Sequence, residues 1–422
     1  MPVIGPDQLF PKGDPVDFDD TPEEAAVRSE ARRFLDAHAT RRADHDSSHL
    51  GNHRPASIAA DREHRARAAA WQRTKLDGGW GAPSWPIEHG GRGLSPHLAA
   101  LFAEEEAHYD VSARYFQVGL AMVGPTLMAH GSPEQLERFV SPLLRGEEMW
   151  CQLFSEPGAG SDLAGLATRA VADGDEYIVS GQKVWTTSAH LAEFGILLAR
   201  TDPDVPKHRG ISAFLVDMSS PGIEVRPLRQ IDGAVHFNEV FFDEVRVPAG
   251  ALLGGFNAGW GVALTMLHFE RAAIGGGGMI EWPQIMNLAR ERGAGPLDRQ
   301  DLARLWTRLE LLRFLGYRVR TAITRGDPLG PESSVMKLAV SAFYEDVGNV
   351  LMGLQGPNGT LWSDSDPNRG VYTGVFLSQW APRIGGGTDQ VQRNIIGDRV
   401  LELPAEPRPD KHGAVAVVGQ HV

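Results

Sequence analysis

Two segments of the sequence combine small hydroxyl residues with glycine, and each lies where a turn meets a predicted strand. The first runs from Phe154 to Asp162 (FSEPGAGSD), and the second runs from Gly181 to Ser188 (GQKVWTTS). Hydroxyl groups and exposed backbone amides of such turns can bind the polar edge and the anionic groups of a flat ring system. The paired segments therefore predict a binding site for an organic cofactor.

Motifs for other kinds of chemistry are absent from the sequence. The glycines at 158 and 160 do not form a dinucleotide fingerprint, because Leu163 occupies the position of its third glycine and no βαβ unit surrounds it. There is no Walker loop, no His-Glu-x-x-His zinc motif and no Gly-x-Ser-x-Gly elbow. The single cysteine, Cys151, excludes an intramolecular disulfide and a multi-cysteine metal site, and we expect it to be a small buried residue. No metal site is predicted.

The composition and net charge of the chain limit the kinds of molecule that it is expected to bind. The chain has 422 residues, enough for two or three domains. Its net charge of -13 and pI near 5.6 argue against a nucleic-acid or anionic-membrane surface. No apolar run reaches ~18 residues and no secretory signal is evident, so we expect a soluble cytoplasmic protein without a membrane span. A polyanionic substrate would then need a local basic patch on an acidic protein.

The hydrophobic periodicity changes twice along the chain. Helical patterns come first and begin at Thr21 and Glu24, whose spacing is that of a capping box. Short β-type runs separated by glycine, proline, aspartate and asparagine follow, as is typical of a small antiparallel barrel or sandwich. Helical patterns then return, with an apolar stripe of four leucines, Leu302, Leu305, Leu309 and Leu312, as expected for a bundle. The clearest β-type runs are 176–180, 194–199, 211–216 and 239–247.

These changes predict an α+β protein with several domains. A polar stretch from Asp44 to Asn52 is typical of a linker within the first helical part. The predicted parts are a flexible arm (1–20), an N-terminal helical domain (21–148), a β domain (149–250), a C-terminal helical bundle (251–405) and a tail (406–422).

Two further segments complete a pattern of four ordered blocks. They run from Phe237 to Pro248 (FNEVFFDEVRVP) and from Gly385 to Asn394 (GGGTDQVQRN). In this order the four blocks resemble those of the acyl-CoA dehydrogenase family. The resemblance implies an N-terminal helical domain, a central β domain and a C-terminal four-helix bundle. It also implies FAD as cofactor, an acyl-CoA as substrate and an electron-transfer flavoprotein as electron acceptor.

The expected reaction removes two hydrogens from the α and β carbons of a thioester and gives a trans-2-enoyl-CoA. A carboxylate must accept the α proton, and the flavin must accept hydride from the β carbon. The resemblance assigns the flavin contacts to Gln152, Phe154, Ser155, Trp185, Thr186, Thr187, Gln300, Thr388 and Gln390. It assigns the substrate contacts to Ser161, Arg271 and Gly387. Taken singly, such serines, threonines and glycines are equally typical of ordinary turns.

The base is expected on a helix. Many family members carry a glutamate at the position that matches Gly386, which has no side chain. Other members place the glutamate directly before an arginine on a bundle helix, and here that pair is Glu270-Arg271. The alternative is that Glu270 is an ordinary solvated helix carboxylate. The glycine run from Gly275 to Gly278 favours a functional site, because glycines cost ~1 kcal/mol each in a helix unless the backbone must approach a ligand or another helix.

Two segments depart from the family pattern. The region from Arg290 to Leu297 lacks the family's Arg-x-x-Phe-Gly, and the region from Gly353 to Gly359 alters its Gln-x-x-Gly-Gly. Both motifs contact the flavin of a neighbouring subunit in the family. The sequence therefore predicts either a hetero-oligomer with a paralogous subunit or a homotetramer in which Arg290 or Arg292 reaches the pyrophosphate by another route. A flavin-dependent oxidase or oxygenase and a non-catalytic structural subunit are the alternative functions.

Overall fold

The computed structural model describes residues 20–42, 58–112, 115–274, 282–324, 332–361 and 370–404. The predicted arm apart from Asp20, the predicted linker from Asp44 to Asn52 and the predicted tail lie outside these residues. The glycine run from Gly275 to Gly278 also lies outside them. Within the described ranges, no helix is both long and apolar enough to cross a bilayer.

Helices make up the N-terminal part of the described chain. They are α1 (Pro22–His38), α2 (Ile58–Asp77), α3 (Pro96–Glu106), α4 (Gly124–His130) and α5 (Pro133–Leu144), with a π-helical turn at Gly119–Val123 before α4. Helix α1 begins at the predicted capping box: Glu24 N donates to Thr21 Oγ1 at 3.3 Å, and Thr21 N donates to the Glu24 carboxylate at 2.6 Å. Ser132 and Gln135 form the same kind of box at α5. Both boxes satisfy backbone donors that the first helical turn would leave unpaired.

The central part is one eight-stranded sheet. Its strands are β1 (Trp150–Leu153), β2 (Arg169–Asp173), β3 (Glu176–Thr187), β4 (Phe194–Arg200), β5 (Ile211–Asp217), β6 (Ile223–Leu228), β7 (Phe237–Pro248) and β8 (Leu252–Leu253). They lie in the order β6-β7-β3-β2-β4-β5-β8, with β1 beside β4. The four predicted runs correspond to β3, β4, β5 and β7.

The sheet is mixed, which corrects the prediction of a wholly antiparallel barrel or sandwich. Strand β1 runs parallel to β4, and β2 meets β4 in parallel where Arg169 pairs with Arg200. The other pairings are antiparallel. Parallel strands need a crossover of a dozen or more residues, and the chain between Leu153 and Phe194 supplies it. Turn residues alone could not reveal this, because they mark where strands end but not which strands pair.

The C-terminal part is helical, as predicted. Its helices are α6 (Gly259–Ile274), α7 (Trp282–Arg292), α8 (Pro296–Thr324), α9 (Glu332–Gln355), α10 (Val371–Ser378), α11 (Ala381–Ile384) and α12 (Asp389–Arg399). The predicted stripe on α8 faces a core shared with α7, α9 and α10, in which Leu302 and Leu305 are buried and Leu309 and Leu312 are partly buried. Burial of this stripe stabilises the helical domain.

Helix α6 packs on a different core from the helices that follow it. Its residues Val262, Ala263 and Met266 are fully buried in a cluster that also contains Leu127 of α4 and Ile196 of β4. Helices α4 and α5, the sheet and α6 therefore share one core. This packing brings the C-terminal half of α6 to the sheet.

Candidate active site

The two hydroxyl-rich segments lie side by side and are joined at three points. Val184 N donates to Ser155 O at 2.9 Å, and Lys183 Nζ donates to Phe154 O at 3.0 Å. The third link is an ion pair of Lys183 Nζ with Glu156 Oε1 at 2.7 Å. The chain that follows β1 and the C-terminal part of β3 therefore form one continuous surface.

Glu156 lies at the centre of the contact between the two segments. Its carboxylate also accepts hydrogen bonds from Ala167 N at 2.6 Å and from Thr168 N at 3.0 Å. Burial opposes the charge on Glu156, but the attraction of Lys183 and these hydrogen bonds outweigh burial and hold its pKa below the ordinary value. Burial lowers the pKa of Lys183 to about 8, against the opposing attraction of Glu156. The pair is thus a satisfied buried contact that fixes the loop after β1.

The ring of Trp185 faces solvent next to this contact between the two segments, and 60% of the Trp185 surface is exposed. Its φ of 59° and the φ of 53° at Ser188 lie in the left-handed region, which costs a non-glycine residue roughly 1–2 kcal/mol. The ring meets Phe237 edge-on, with 5.8 Å between centroids. Thr187 is exposed, whereas Thr186 is buried and its Oγ1 has no hydrogen-bond partner among the described residues. Strained backbone at non-glycine residues is concentrated at functional sites, so the segment that carries Trp185 is a candidate ligand-binding surface.

Glu270 reaches the same region from α6. Gln152 Nε2 donates to Glu270 Oε2 at 3.3 Å, although the two residues are 118 positions apart. Glu270 is half-buried, which differs from the alternative of an ordinary solvated helix carboxylate. The structure therefore places Glu270 against β1, directly before the first hydroxyl-rich segment. The side chain of Arg271 lies outside the described residues, and its role stays a prediction.

Phe154 and Ser161 have different surroundings. The Phe154 ring is 3% exposed and packs in the core that joins the sheet to α6. Ser161 is exposed next to Asp162, whose carboxylate accepts hydrogen bonds from Lys207 Nζ at 2.9 and 3.0 Å. Lys207 opens a short helical turn that continues with His208 and Arg209. The residue expected to contact coenzyme A therefore lies beside basic side chains of an otherwise acidic protein.

The last block lies within the C-terminal helices. Thr388 caps α12 by accepting a hydrogen bond from Val391 N at 3.2 Å. The next residue, Asp389, pairs with Lys337 Nζ at 3.2 Å and with Arg383 Nε at 3.0 Å. Gly386 and Gly387 have φ values of 65° and 87°. Gln390 is exposed on α12 and Gln300 is exposed on α8. Their flavin contacts stay predictions.

Two contacts connect predicted site residues: Gln152 meets Glu270, and the backbone of Ser155 is joined through Val184 to the segment that carries Trp185 and Thr187. It also reveals a buried chain of polar residues that the sequence interpretation missed. Asp61 of α2 contacts both Tyr115 and His190, and His190 contacts Asn238, which hydrogen-bonds the backbone of Thr186. The only sequence signal was the position of His190 three residues after Thr187. Asp61 lies 129 residues from His190, so local pattern could not associate them.

Domain profiles of one family match most of the chain. The acyl-CoA dehydrogenase N-terminal domain matches residues 21–147, the middle domain matches 151–245 and the C-terminal domain matches 257–401. The chain therefore belongs to the acyl-CoA dehydrogenase family, whose members are FAD-dependent oxidoreductases. The predicted family, fold and enzyme class are confirmed.

Individual relatives agree with this placement. Acyl-CoA dehydrogenase IpdE1 of Mycobacterium tuberculosis is 39% identical over 355 residues, which cover 82% of this chain and 91% of that protein. The solved structure of the Tcur3481-Tcur3483 steroid ACAD has a TM-score of 0.79 at 29% identity, over 92% of this chain and 100% of that chain. The ChsE4-ChsE5 complex from Mycobacterium tuberculosis has a TM-score of 0.75 at 28% identity, again over 92% of this chain and 100% of that chain.

Proposed function

We propose that this protein dehydrogenates an acyl-CoA thioester to the trans-2-enoyl-CoA, with Glu270 as the base and an electron-transfer flavoprotein as the electron acceptor. The observation that carries the proposal is the 3.3 Å contact between Gln152 and Glu270. It joins a half-buried carboxylate to β1, and β1 leads directly into the hydroxyl-rich surface that bears the exposed Trp185 ring. The other base position of the family is Gly386, which has no side chain to accept a proton.

The residues of this surface fit FAD. Ser155 and Thr187 offer hydroxyl groups, and Trp185 offers an exposed aromatic ring, which together suit a flat heteroaromatic ligand. An added Cβ at Gly158 or Gly160 would meet nothing within 4 Å, so the loop backbone has room for a large ligand. We assign Ser155, Trp185 and Thr187 to holding the flavin.

The remaining predicted flavin contacts have weaker or different support. Phe154 and Thr186 are buried, so we expect them to contribute through their backbone. Gln300, Thr388 and Gln390 stay predicted contacts from the C-terminal helices. FAD, when bound, accepts the hydride that leaves the β carbon.

Glu270 supplies the proton-accepting group. A carboxylate within hydrogen-bond reach of the α carbon can remove its proton as the hydride leaves, so that the substrate loses one proton and one hydride in total. Gln152 Nε2 donates to one carboxylate oxygen of Glu270, and this contact holds the carboxylate beside β1. Because Glu270 is only half-buried, its proton can return to solvent before the next turnover.

Coenzyme A would lie along the loop that contains Ser161. The basic turn from Lys207 to Arg209 lies beside this loop through the Lys207–Asp162 ion pair. Phosphate groups favour such a cluster of cationic side chains. Gly387 remains the residue that we expect to border the acyl chain.

We expect a branched or ring-bearing acyl group rather than a short straight chain. The glycines at 385, 386 and 387 leave volume that a glutamate at 386 would fill. The similarity to a solved steroid ACAD supports a bulky substrate. Comparing kcat/KM for isobutyryl-CoA or a steroid-side-chain thioester with kcat/KM for butyryl-CoA tests this, and a clear preference for butyryl-CoA would contradict it.

We also propose a hetero-oligomer with a paralogous subunit as the working assembly, with the homotetramer as the alternative. Arg290 and Arg292 are exposed at the end of α7, and Arg290 donates to Asn287 Oδ1 at 2.9 Å within its own helix. The segment lacks the family's Arg-x-x-Phe-Gly motif, so neither arginine has the surroundings that this motif supplies. The two solved structures compared above each carry the names of two proteins. A cytoplasmic location stays a prediction from the sequence.

The visible spectrum of the purified protein, titrated without oxygen with a panel of acyl-CoAs, tests the proposed reaction. We expect a flavin spectrum that bleaches on addition of a suitable acyl-CoA and recovers with an electron-transfer flavoprotein. Rapid recovery with O₂ alone, with peroxide or a hydroxylated product, would instead support an oxidase or oxygenase. A colourless protein, both alone and with its co-purified partner, would support a non-catalytic subunit.

A further inference from the structure

Three side chains form a buried polar chain that ends at the backbone of the flavin-facing segment. His190 Nε2 lies 2.9 Å from Asp61 Oδ2, and His190 Nδ1 lies 3.1 Å from Asn238 Oδ1. Asn238 is fully buried, and its Nδ2 donates to Thr186 O at 3.0 Å. The chain thus connects helix α2 to β3 between Trp185 and Thr187.

The orientation of the Asn238 amide fixes the role of one histidine nitrogen. Asn238 Nδ2 faces two carbonyl oxygens, Thr186 O at 3.0 Å and His236 O at 3.4 Å. Only the amide nitrogen can donate to carbonyl oxygens, so Oδ1 must be the atom that faces His190. His190 Nδ1 must therefore carry a proton.

The second histidine nitrogen also faces an acceptor. Tyr115 OH donates to Asp61 Oδ1, and His190 Nε2 faces the other oxygen of the same carboxyl group. Burial opposes the charge on Asp61, but the hydrogen bonds from His190 and Tyr115 outweigh burial and lower its pKa. His64, on the same helix, favours the Asp61 charge as well. The Asp61 carboxylate therefore holds the ring on its Nε2 side, while Nδ1 faces Asn238.

The end of this chain lies in the most strained part of β3. Trp185 and Ser188 both have positive φ values, and the pairing of β3 with β7 shifts register between Lys183 and Thr186. Non-glycine residues keep such conformations only where the surrounding structure holds them. Here the Thr186 carbonyl is held by Asn238, and Ser188 N donates to His236 O at 2.7 Å.

We propose that His190, held between Asp61 and Asn238, is a positioning residue that fixes the Thr186 carbonyl and so keeps Trp185 and Thr187 in their flavin-binding conformation. The proposal rests on the proposed function for the identity of the ligand. The anchoring itself concerns only residues of this chain, and it can be measured without cofactor.

The first experiment measures the protonation of His190 in the apoprotein. Selective ¹⁵N labelling of histidine, with His190→Gln to assign the signals, shows which ring nitrogens carry a proton. We expect a proton on Nδ1 in the wild type. In Asp61→Asn the amide can donate to Nε2, so the proton on Nδ1 should remain. A wild-type ring with its proton on Nε2 and none on Nδ1 would overturn the proposal.

The second experiment breaks the chain without leaving a buried charge. Asp61→Asn is the reference, because it keeps every hydrogen bond of the chain. In Asp61→Asn/His190→Leu the link to Asn238 is lost. We expect amide hydrogen exchange over 184–189 of the apoprotein to accelerate about 10-fold relative to the reference, and the FAD dissociation constant to rise about 10-fold, as for the loss of one buried hydrogen bond.

Controls separate this effect from a general loss of stability and from failure of the proposed function. Leu101→Ala, in the core of α1 and α3, should destabilise the fold while leaving exchange over 184–189 and FAD affinity near the wild-type values. If the double variant does not fold, Asn238→Ala breaks the last link instead, with the same expected changes. Equal exchange in reference and broken variants would overturn the proposal. A wild type that binds no FAD, yet whose exchange responds as expected, would contradict the proposed function and leave the anchoring supported.

Discussion

Lys183 Nζ lies 2.7 Å from Glu156 Oε1, and the lysine side chain is fully buried. The two residues are 27 positions apart and belong to the two hydroxyl-rich segments. Because Lys183 also donates to Phe154 O, it sets the position of the chain just before Ser155. The ion pair therefore determines how Ser155 and Trp185 share one surface.

Loss of the lysine should strongly destabilise the protein. In Lys183→Met the Glu156 carboxylate stays buried without its partner, and we expect the free energy of unfolding to fall by ~3–5 kcal/mol. Urea denaturation measures this. Arg246→Met is the matched control, because Arg246 pairs with Asp173 and Glu176 at the surface and is 58% exposed. It should cost at most ~1 kcal/mol. Equal losses in the two variants would contradict a structural role for the buried pair.

The same pair should contribute to the dependence of stability on pH. The pKa of Glu156 is lower in the folded protein than its ordinary value of 4.5. Its contribution is therefore complete above that ordinary value and is lost as the pH falls through the lower folded value. We expect Glu156→Gln to be less stable than the wild type at pH 7, and the gap to narrow below pH ~4.5. Urea midpoints of both proteins between pH 3 and pH 7 test this, and a constant gap would be inconsistent with it.

Removal of the base should slow flavin reduction. Glu270→Gln keeps the size and hydrogen bonding of the side chain but cannot accept the α proton. We expect acyl-CoA binding to persist and reductive bleaching of the flavin to slow by at least ~10²-fold. Glu137→Gln is the control, since Glu137 is an exposed helix glutamate that also precedes an arginine. Bleaching of Glu270→Gln within a few-fold of the wild type would rule out Glu270 as the base.

Neighbouring glycines of the last block should differ in their tolerance of alanine. Gly387 has a φ of 87°, and an added Cβ would lie 2.7 Å from Gln392 Nε2. Gly385 has a φ of -67°, and its added Cβ would be 3.4 Å from Ala381 O. We expect Gly387→Ala to cost ~1–2 kcal/mol of unfolding free energy and Gly385→Ala to change it by less than ~0.5 kcal/mol. Thermal and urea unfolding compare the two, and similar costs would argue against strain at Gly387.

Flavin content should report the assembly. If the altered regions at Arg290–Leu297 and Gly353–Gly359 cannot complete a neighbour's site, this chain expressed alone should carry substoichiometric FAD. Co-expression with a paralogue whose donated half is intact should give one tight site per heterodimer. Absorbance at the flavin band together with native mass measures both quantities. One FAD per chain in the protein expressed alone would exclude the hetero-oligomer argument.

Local patterns were enough to predict the family, the three-part layout and several helix and strand positions. The capping box at Thr21, the leucine stripe on α8 and the residues within each of the four blocks are close together in the chain. Hydrophobic periodicity and turn chemistry are local properties, so they can be recognised in the sequence without knowledge of the packing. The four strands with β-type runs were recognisable for the same reason.

Which distant residues meet depends on the packing of the whole chain. The contact of Gln152 with Glu270 depends on how α6 packs against the sheet, and the contact of Asp61 with His190 depends on how α2 meets β3. The parallel pairing of β1 with β4 and the short strands β2 and β6 follow from their neighbours in the sheet rather than from their own residues. Side-chain proximity across more than a hundred residues is set by burial of shared apolar surface, and no local pattern encodes that surface.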